Sequence, residues 1–476
     1  MAAQTYDLWI GGTETPGSGK NCDSATLEDV DGAVRVAYET YKSGVWSDAS
    51  CRHFRADVLD KIAEVLQKNI ERLIKLEVQQ TGRPHREMKA QVPSLVKWFK
   101  YFASILRTEE RSVLPTSGKL HNWVDRVPLG VVAQITPFNH PLLIATKKIA
   151  PALAGGNSIV LKPSELTPIS SLLIGELFKN AGLPDGVFNV VNGDGATTGK
   201  ALAEHPLVAK IDITGSTSAG RALGAIAGQK LNSFTAELGG KAPLIVFEQA
   251  DLDLAVNGIA FASFIATGQT CIAATRILVQ NSVIQDLIPK LKVKCESIVR
   301  RMGKPTSAEC AMGPLVSERQ LDKVIDIVNE AVAHGATVQC GGYRLTGRST
   351  IDDHDFSRGY YYPPTVLTDG SGARIIDTKL WREEVFGPVI VVVGFDTEDE
   401  AIKLANDSEF GLGAALWTTD LSQAYRVSQR IEAGIVWDAY HSYTKMKSTI
   451  INYATTEESL QADDWFREDA GEVRYN

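Results

Sequence analysis

A cysteine follows a glycine-containing run in the second half of the chain, Ala266-Thr-Gly-Gln-Thr-Cys271. A thiolate attacks carbonyl carbons readily, and backbone amides at a helix start lower a thiol pKa and stabilise an oxyanion. The run predicts that Cys271 lies at the start of a helix and acts as a nucleophile. The alternative is that Cys271 is a small buried apolar side chain, which is the commoner state of a lone cysteine.

Two further runs are typical of nucleotide binding. Gly215-Ser-Thr-Ser-Ala-Gly220 follows the strand pattern Ile211-Asp-Ile-Thr214 and precedes a helical pattern, so amides at the helix start could meet a phosphate. Lys162 and Glu165 follow another strand pattern and could hold the two hydroxyls of an adenosine ribose. Thr217 replaces the second glycine of a full dinucleotide fingerprint, so an ordinary turn and an exposed ion pair remain as alternatives.

Other classes of protein lack their signatures in this chain. Gly193-Asp-Gly-Ala-Thr-Thr-Gly-Lys200 has the wrong glycine spacing for a P-loop, and no Gly-x-Ser-x-Gly turn occurs. The six cysteines include no Cys-x-x-Cys pair and the eight histidines no His-Glu-x-x-His array, which argues against a metal site and a disulfide framework. A net charge of −8 without a basic cluster argues against nucleic acid. With neither an export signal nor a membrane-spanning apolar stretch, a cytoplasmic protein without a membrane partner is expected.

The apolar pattern predicts the elements that would position these residues. From 29 to about 106 apolar residues recur at helical spacing. Short apolar runs then alternate with amphipathic stretches, in one series over 130–214 and in a second over 243–417. Alternating strands and helices form parallel, doubly wound sheets, so two α/β domains are expected, with a boundary near 237–241.

Six motifs occur in the order found in the aldehyde dehydrogenase superfamily, which the sequence resembles from about residue 26 to residue 436. They are Thr136-Pro-Phe-Asn-His-Pro141, Lys162-Pro-Ser-Glu165, Gly215-Ser-Thr-Ser-Ala-Gly220, Glu237-Leu-Gly-Gly-Lys241, Gly268-Gln-Thr-Cys271 and Glu383-Glu-Val-Phe-Gly-Pro388. The resemblance implies a nicotinamide-binding domain (1–106 and 125–239), a catalytic domain (240–436), and a small oligomerisation sheet with a tail (107–124 and 437–476).

The resemblance implies oxidation of an aldehyde to a carboxylic acid with NAD. Cys271 would form a thiohemiacetal and then a thioester, while Asn139 and the Cys271 amide would hold the oxyanion. Glu237 matches the general base, which favours a free acid product over transfer of the thioester to coenzyme A. For Glu237 alone, the alternative is a solvated carboxylate at a strand end.

The resemblance also assigns the cofactor contacts. Lys162 and Glu165 match the adenine-ribose positions, and a carboxylate there would repel a 2′-phosphate, which favours NAD over NADP. Glu384 and Phe386 match the nicotinamide-ribose contacts, although Phe386 alone would also suit an ordinary core. The other matching positions are Thr136, Phe138, Gly215, Ser216 and Gly220.

The chain departs from the family pattern in two places. Near the N-terminus, 11–24 omits a strand segment, which would thin the edge of the cofactor domain. Gly434-Ile-Val-Trp437 passes directly into Asp438 without the Ser-Gly-x-Gly-x-Glu turn that leads to the oligomerisation strand, here 448–453. The shortened crossing predicts a homodimer at most, and not a tetramer. It also leaves open a second function, that of a catalytically impaired NAD-binding relative with a structural or assembly role.

Lys147 is a candidate for recognising the aldehyde. A helix is predicted after Asn139 with Pro141 in its first turn, so that Asn139, Leu143 and Lys147 share one face at spacing four. Many family members have an aromatic residue at the position of Lys147. A cation there would favour aldehydes with a carboxylate at the far end, whereas the alternative is that Lys147 merely extends to solvent.

Overall fold

The computed structural model describes residues 6–17, 24–116, 119–370, 372, 374–434 and 465–466. The chain divides into two compact units, the first made of Met1–Thr81 with Gln91–Leu238 and the second of Gly82–Ala90 with Gly239–Asn476. The second unit therefore includes 82–90, which the sequence placed in the cofactor domain. The reason is local: a Cβ at Gly82 would lie 3.0 Å from Pro314, a residue of the second unit.

The helices within the described residues are, in order, α1 (Leu27–Ser43), α2 (Arg52–Lys68), α3 (Ile70–Thr81), α4 (His85–Gln91), α5 (Leu95–Thr108), α6 (Pro141–Ala154), α7 (Ile169–Asn180), α8 (Lys200–Glu204), α9 (Thr217–Lys230), α10 (Leu252–Phe264), α11 (Ile284–Arg300), α12 (Glu318–Ala333), α13 (Lys379–Arg382), α14 (Glu398–Asn406) and α15 (Leu421–Arg430). The predicted helical lead-in is confirmed by α1 to α5.

The strands of the same residues are β1 (Leu8–Ile10), β2 (Thr13–Thr15), β3 (Ser112–Leu114), β4 (Asn122–Val124), β5 (Val131–Ile135), β6 (Ser158–Lys162), β7 (Phe188–Val190), β8 (Val208–Thr214), β9 (Ser233–Glu237), β10 (Ala242–Val246), β11 (Ala274–Gln280), β12 (Thr337–Cys340), β13 (Thr365–Thr368), β14 (Val389–Phe395) and β15 (Ala415–Trp417). Two of the three sheets are mainly parallel, which confirms the predicted α/β class.

The sheet of the first unit has the strand order β2-β1-β7-β6-β5-β8-β9. Its strands from β5 to β9 pair in parallel, while β1 is antiparallel to β2 and to β7. The edge near the N-terminus thus consists of two three-residue strands. The carboxyl ends of β5, β6 and β8 carry Thr136, Lys162 and Gly215, which is the edge where open α/β sheets bind ligands.

The sheet of the second unit has the order β12-β13-β14-β11-β10-β15 and is parallel except at β12. Successive residues of β10 belong to different apolar clusters, with Leu244 and Val246 in one and Ile245 in the other. The period of two places the clusters on opposite faces of the sheet. Because both faces are covered, the inner strand β10 is a continuous apolar run.

A separate antiparallel sheet is formed by β3 and β4, whose residues are all exposed. It occupies part of the predicted oligomerisation element, 107–124. The other predicted parts, the crossing at 437–444 and the strand at 448–453, lie outside the described residues. Within the described part of the chain, no helix is long and apolar enough to cross a membrane, and no cluster of three or more metal-ligating side chains occurs.

Candidate active site

Cys271 lies in a turn between a short 3-10 helix, Ile265–Gly268, and β11. The prediction that Cys271 begins a helix is wrong, because the residues after the turn enter a strand. Three residues of the 3-10 helix are left-handed: Ala266, Thr267 and Gly268 have φ values of 51°, 57° and 70°. The half-buried thiol therefore sits just beyond a constrained backbone turn, and not on a helix N-terminus.

Long-range contacts hold this left-handed turn. The Ala266 N–H donates to both oxygens of Glu87 at 3.3 Å, and Glu87 is ion-paired with the Arg83 guanidinium at 2.8 Å. The Thr267 hydroxyl donates to the Gly313 carbonyl at 3.1 Å. Burial raises the pKa of Glu87, while Arg83 opposes the shift. Non-glycine residues in the left-handed region cost about 1–3 kcal/mol each, so these bonds maintain a conformation that the local sequence disfavours.

Glycine is required at the end of this turn. A Cβ on Gly268 would lie 2.2 Å from the carbonyl oxygen of Gly387, in the Glu383–Pro388 motif. The turn before Cys271 and this motif are thus in direct backbone contact within the second unit. Two of the six motifs meet here, although they are far apart in the sequence.

Asn139 is buried and lies before α6, whose N-cap is His140. The predicted helix after Asn139 is confirmed, but Asn139 is not part of it, because the helix begins only at Pro141. Leu143 and Lys147 therefore share a face of α6 at spacing four, whereas Asn139 lies before the helix. The His140 ring is fixed at its Nδ1 by Gln91 Nε2 at 2.9 Å, which anchors the segment that carries Asn139.

Glu237 is the last residue of β9, and its carbonyl oxygen accepts from the Gly215 N–H at 3.1 Å. This bond ties the predicted base to the predicted phosphate-binding turn. The side chain is half-buried, and desolvation raises the pKa of Glu237. The Lys148 and Lys147 ammoniums lower this pKa, whereas Asp212 raises it. Each of these groups lies near enough to affect the protonation of the base.

Lys148 and Asp212 form a largely buried ion pair that the sequence analysis did not identify. The Lys148 carbonyl accepts from Gln134 Nε2 at 2.8 Å, and Gln134 faces Asp212 across β5 and β8. Two features of the sequence could have indicated this pair: a charged residue within the apolar pattern of α6 and another within that of β8. That these two residues pair with each other could not be predicted from the sequence, since they are 64 residues apart.

Lys147 lies over the Trp98 ring, with its Nζ 5.6 Å from the ring centroid. The side chain is half-buried. An aromatic face attracts a cation, more strongly where water is partly removed. Leu143, one turn earlier on α6, is buried.

The Lys162 ammonium is buried and stands at the carboxyl end of β6. It donates to the Pro163 carbonyl at 2.9 Å and lies 3.5 Å from the Glu165 carboxylate, whose side chain is 48% exposed. Burial lowers the pKa of Lys162, and Glu165 opposes the shift. The alternative of an exposed ion pair is thus wrong for the lysine, while the carboxylate keeps free surface for a ligand.

The turn after β8 leads into α9, which confirms the predicted strand, turn and helix. Ser216 is the exposed N-cap, and its hydroxyl accepts from the Ala219 N–H at 3.2 Å. A Cβ on Gly220 would lie 2.4 Å from Leu238, so glycine is needed for close packing of α9. Thr136, at the end of β5, donates its N–H to the Lys162 carbonyl at 3.1 Å.

Two more positions of this edge matched the family pattern. The Thr136 hydroxyl is buried and has no hydrogen-bond partner among the described residues. Phe138 is half-buried, and its carbonyl accepts from the Thr167 hydroxyl at 3.4 Å. An unpaired hydroxyl, a buried ammonium and an accessible carboxylate at one sheet edge fit the hydroxyls and phosphates of a dinucleotide.

Glu384 belongs to the second unit, and its Oε1 accepts from the Gly240 N–H at 3.0 Å. Burial raises the pKa of Glu384, opposed by Gly240 and by Lys323. Phe386 has a φ of 59°, and the Gln320 amide donates to its carbonyl at 2.9 Å. Lys323 donates to the Glu384 carbonyl at 2.7 Å. Gln320 and Lys323, one turn apart on α12, hold the Glu384 segment and were missed by the sequence analysis.

The predicted residues fall into both units. Asn139, Glu237 and the adenosine-side positions belong to the first unit, while Cys271, Glu384 and Phe386 belong to the second. Within the first unit, Glu237 and Gly215 are joined by a hydrogen bond. Within the second, the turn before Cys271 touches the motif that contains Glu384 and Phe386.

Comparison with known proteins gives a consistent family. A model of the aldehyde dehydrogenase family matches residues 17–450. The peroxisomal aminoaldehyde dehydrogenase 1 of Pisum sativum is 40% identical over 421 residues, which cover 87% of this chain and 81% of the relative. The crystal structure of PnpE with nicotinamide adenine dinucleotide is 37% identical, has a TM-score of 0.85, and matches 91% of this chain and 89% of that one. Betaine aldehyde dehydrogenase of Staphylococcus aureus with NAD+ is 33% identical, with a TM-score of 0.84 and coverages of 90% and 86%.

Proposed function

The chain belongs to the aldehyde dehydrogenase family, and we propose that Cys271 carries out its oxidation of an aldehyde to the carboxylic acid with NAD. The observation that carries the assignment is the position of Cys271, half-buried directly after a left-handed turn held by Glu87 and Gly313. A fixed backbone holds the nucleophile in a constant orientation toward the carbonyl carbon. Such positioning of the reacting atoms contributes strongly to the rate.

The first step is attack of the Cys271 thiolate on the aldehyde carbon. The tetrahedral adduct has an oxyanion, which the Asn139 amide and the Cys271 N–H stabilise by hydrogen bonds. The acceptor for the hydride of this carbon would be supplied by NAD, held by the residues assigned below. Loss of hydride converts the adduct into a thioester on Cys271, with the electron pair of the oxyanion reforming the carbonyl.

Glu237 then takes a proton from the water that attacks the thioester. Its carboxyl is half-buried and has a raised pKa, which makes it a stronger base than a solvated glutamate. Hydrolysis releases the acid and returns the Cys271 thiol. Because this base is present, the acid is favoured over transfer of the thioester to coenzyme A, and analysis of the product distinguishes the two.

The adenosine end of NAD is assigned to the first unit. Lys162 and Glu165 would hold the ribose hydroxyls, with Thr136 and the Gly215–Ser216 amides on the neighbouring groups. The exposed Glu165 carboxylate disfavours the 2′-phosphate of NADP, because like charges repel. Glu384 and Phe386 of the second unit would hold the nicotinamide ribose.

The aldehyde itself is proposed to be neutral or anionic. Two of the relatives named above are an aminoaldehyde and a betaine aldehyde dehydrogenase, named for aldehydes that carry a positive charge. In this chain the Lys147 cation lies close enough to Glu237 to lower its pKa and is held over Trp98. A second cation beside it is unfavourable, whereas a carboxylate at the far end of the aldehyde gains a charge-assisted bond.

Lys147→Met tests this substrate class. The ratio of kcat/KM for a carboxylated aldehyde to that for an aminoaldehyde of equal length should fall in the variant by about tenfold, a change of about 1.4 kcal/mol. Lys179→Met, which removes an exposed lysine of the same unit, is the control. An unchanged ratio in Lys147→Met excludes Lys147 from recognition.

The chain is also proposed to be a cytoplasmic homodimer. The exposed Trp123 and Val124 of the β3–β4 sheet offer an apolar edge to a second copy, and the shortened crossing favours a homodimer. Light scattering that gave a compact tetramer would contradict this. The cytoplasmic location rests on the sequence, whereas the pea relative is named as peroxisomal.

The decisive experiment is an assay of NADH formation with NAD and a panel of aldehydes. Cys271→Ala should abolish turnover while leaving the unfolding temperature and NAD binding unchanged. Absence of turnover by the wild-type protein with every aldehyde would overturn the enzymatic assignment. That result would favour the alternative of an impaired relative with an assembly role.

A further inference from the structure

The last turn of α3 places a buried carboxylate at the start of α6. Glu77 is 1% exposed, and its Oε2 accepts from the Leu142 N–H at 3.5 Å. Leu142 is the second residue of α6, where backbone N–H groups have no acceptor within the helix. The N-cap side chain, His140, makes no cap bond to α6. A negative charge at this end is favourable, because the aligned peptide dipoles leave a helix N-terminus positive. Glu77 therefore holds the beginning of α6 from another helix.

Gln80, in the same turn of α3, fixes the orientation of this carboxylate. Its Nε2 donates to Glu77 Oε1 and to the Ser170 hydroxyl, both at 2.6 Å. Its Oε1 accepts from the Ile169 N–H at 3.0 Å, at the first residue of α7. One glutamine thus joins the Glu77 carboxylate to the start of a second helix. Rotation of the carboxylate would break one of these bonds.

Asn139, the proposed oxyanion donor, lies immediately before the helix start that Glu77 holds. The Phe138 carbonyl and the His140 ring, on its two sides, are each held by a hydrogen bond. Leu142, three residues later, is held by Glu77. The backbone that carries the Asn139 amide is therefore fixed from both directions. Donors that stabilise an oxyanion do so through a fixed position, so a shift of the α6 start should lower the rate.

We propose that Glu77 is a positioning residue for the Asn139 amide. By accepting from Leu142 it sets where α6 begins, and the position of Asn139 follows from that start. Glu77 touches neither the aldehyde nor NAD in this role, and it transfers no proton. The inference rests on the proposed oxyanion role of Asn139.

Glu77→Gln keeps the size of the side chain but replaces one acceptor by a donor. If the new oxygen faces Leu142, the new NH2 group faces that of Gln80; if it faces Gln80, the NH2 group faces the Leu142 N–H. Turning the Gln80 amide over brings its NH2 group against the Ile169 N–H. Every arrangement places two donors together, so the network around the α6 start has to shift.

The first measurement separates the oxyanion from the cofactor. In the full-length chain, Glu77→Gln should lower kcat/KM for an aldehyde by about tenfold, since a misplacement of about 1 Å can cost about 100-fold. The Kd for NAD should change by less than about twofold, because the described bonds of Lys162 and Glu165 do not involve Glu77. Glu176→Gln, which removes an exposed carboxylate of the same unit, is the control and should change neither quantity.

A double-mutant cycle with Asn139→Ala then tests whether Glu77 acts through Asn139. Loss of an oxyanion donor costs about 100-fold or more, and with Asn139 absent there is no amide left to position. Adding Glu77→Gln to Asn139→Ala should therefore lower kcat/KM by less than about twofold further. A merely structural effect of Glu77→Gln would be independent of Asn139, so the two losses would multiply.

Exchange of the two side chains gives a rescue. In Glu77→Gln with Gln80→Glu, Gln at 77 accepts from Leu142 and donates to Glu at 80, which still accepts from the Ile169 N–H and takes the Ser170 hydroxyl as a donor. This double variant should recover most of the lost kcat/KM. Losses that multiply in the cycle, or an exchange as slow as Glu77→Gln alone, overturn the role of Glu77 and leave that of Asn139 intact. Unchanged kcat/KM in Asn139→Ala instead refutes the oxyanion role of Asn139, and the inference with it.

Discussion

The ion pair between Arg83 and Glu87 connects the stability of the second unit to the backbone before Cys271. Both side chains are almost completely buried, at 2% and 0% exposure, and Glu87 also accepts the Ala266 N–H. Glu87→Gln keeps the size and hydrogen-bonding capacity of the side chain but removes its charge. The substitution therefore isolates the electrostatic part of the interaction.

The expected loss of stability is large for a single isosteric change. Removing one partner of a buried ion pair costs about 3–5 kcal/mol, because the remaining charge is left in a poorly solvated site. Since glutamine still accepts from Ala266, the lower end of this range, about 3 kcal/mol, is expected. For a unit of this size, 1 kcal/mol shifts the unfolding temperature by about 2–4 °C, so Tm should fall by about 6–12 °C.

Calorimetry of the Glu87→Gln variant checks this expectation, with Asp399→Asn measured in parallel as the control. Asp399 pairs with Arg430 at 2.7 Å, a similar distance, but the side chains are 79% and 48% exposed. An exposed pair contributes at most about 1 kcal/mol, so its loss should lower Tm by less than 4 °C. The kcat of Glu87→Gln should also fall, because the left-handed Ala266 loses a charged acceptor. Equal Tm changes in the two variants would refute the assignment of this pair as the support of the turn.

Three further outcomes follow from charged side chains of the two units. The acid limb of the pH profile of kcat should follow ionisation of Glu237. Lys148→Met should therefore move this limb to higher pH, and Asp212→Asn should move it to lower pH. If the acid limbs of the wild type and both variants coincide, neither residue affects the ionisation of Glu237. Burial lowers the pKa of Lys241 to about 7, so the folded state holds this proton less tightly than the unfolded state and stability should rise with pH from about 7 to 10.5. Lys241→Met should flatten that slope and stabilise the protein at pH 7 by roughly 4 kcal/mol at most, as measured by urea unfolding. Glu165→Ala should raise the KM for NAD and lower the NAD over NADP preference by about tenfold in steady-state kinetics, and an unchanged preference would place Glu165 away from the ribose.

The strands could be predicted from the sequence where both of their faces are buried. The predicted run 243–247 corresponds to β10, Ala242–Val246, since an inner parallel strand needs apolar residues at every position. By contrast, β9 has exposed positions and the polar sequence Ser-Phe-Thr-Ala-Glu, and no pattern marked it as a strand. The family motif, and not the periodicity of apolar residues, was the basis for singling out Glu237 at the end of this strand.

The surroundings of Cys271 could not be predicted from local sequence. A glycine suggested a turn, but left-handed Ala266 and Thr267 are conformations that these residues rarely adopt. They persist because Glu87, 179 residues earlier, accepts the Ala266 N–H. Local propensity is overridden here by a long-range contact, and a pattern within a few residues contains no information about it.

The Lys148–Asp212 pair shows which information about the surroundings of Glu237 is present in the sequence. Each charge interrupts an otherwise buried apolar pattern, and an isolated buried charge is costly, so each one implies a partner. The two ions act on Glu237 in opposite directions, Lys148 lowering its pKa and Asp212 raising it. Because their effects oppose each other, desolvation is left as the main determinant of the basicity of Glu237. The pair thus keeps a buried lysine beside the base without converting the base into a weak one.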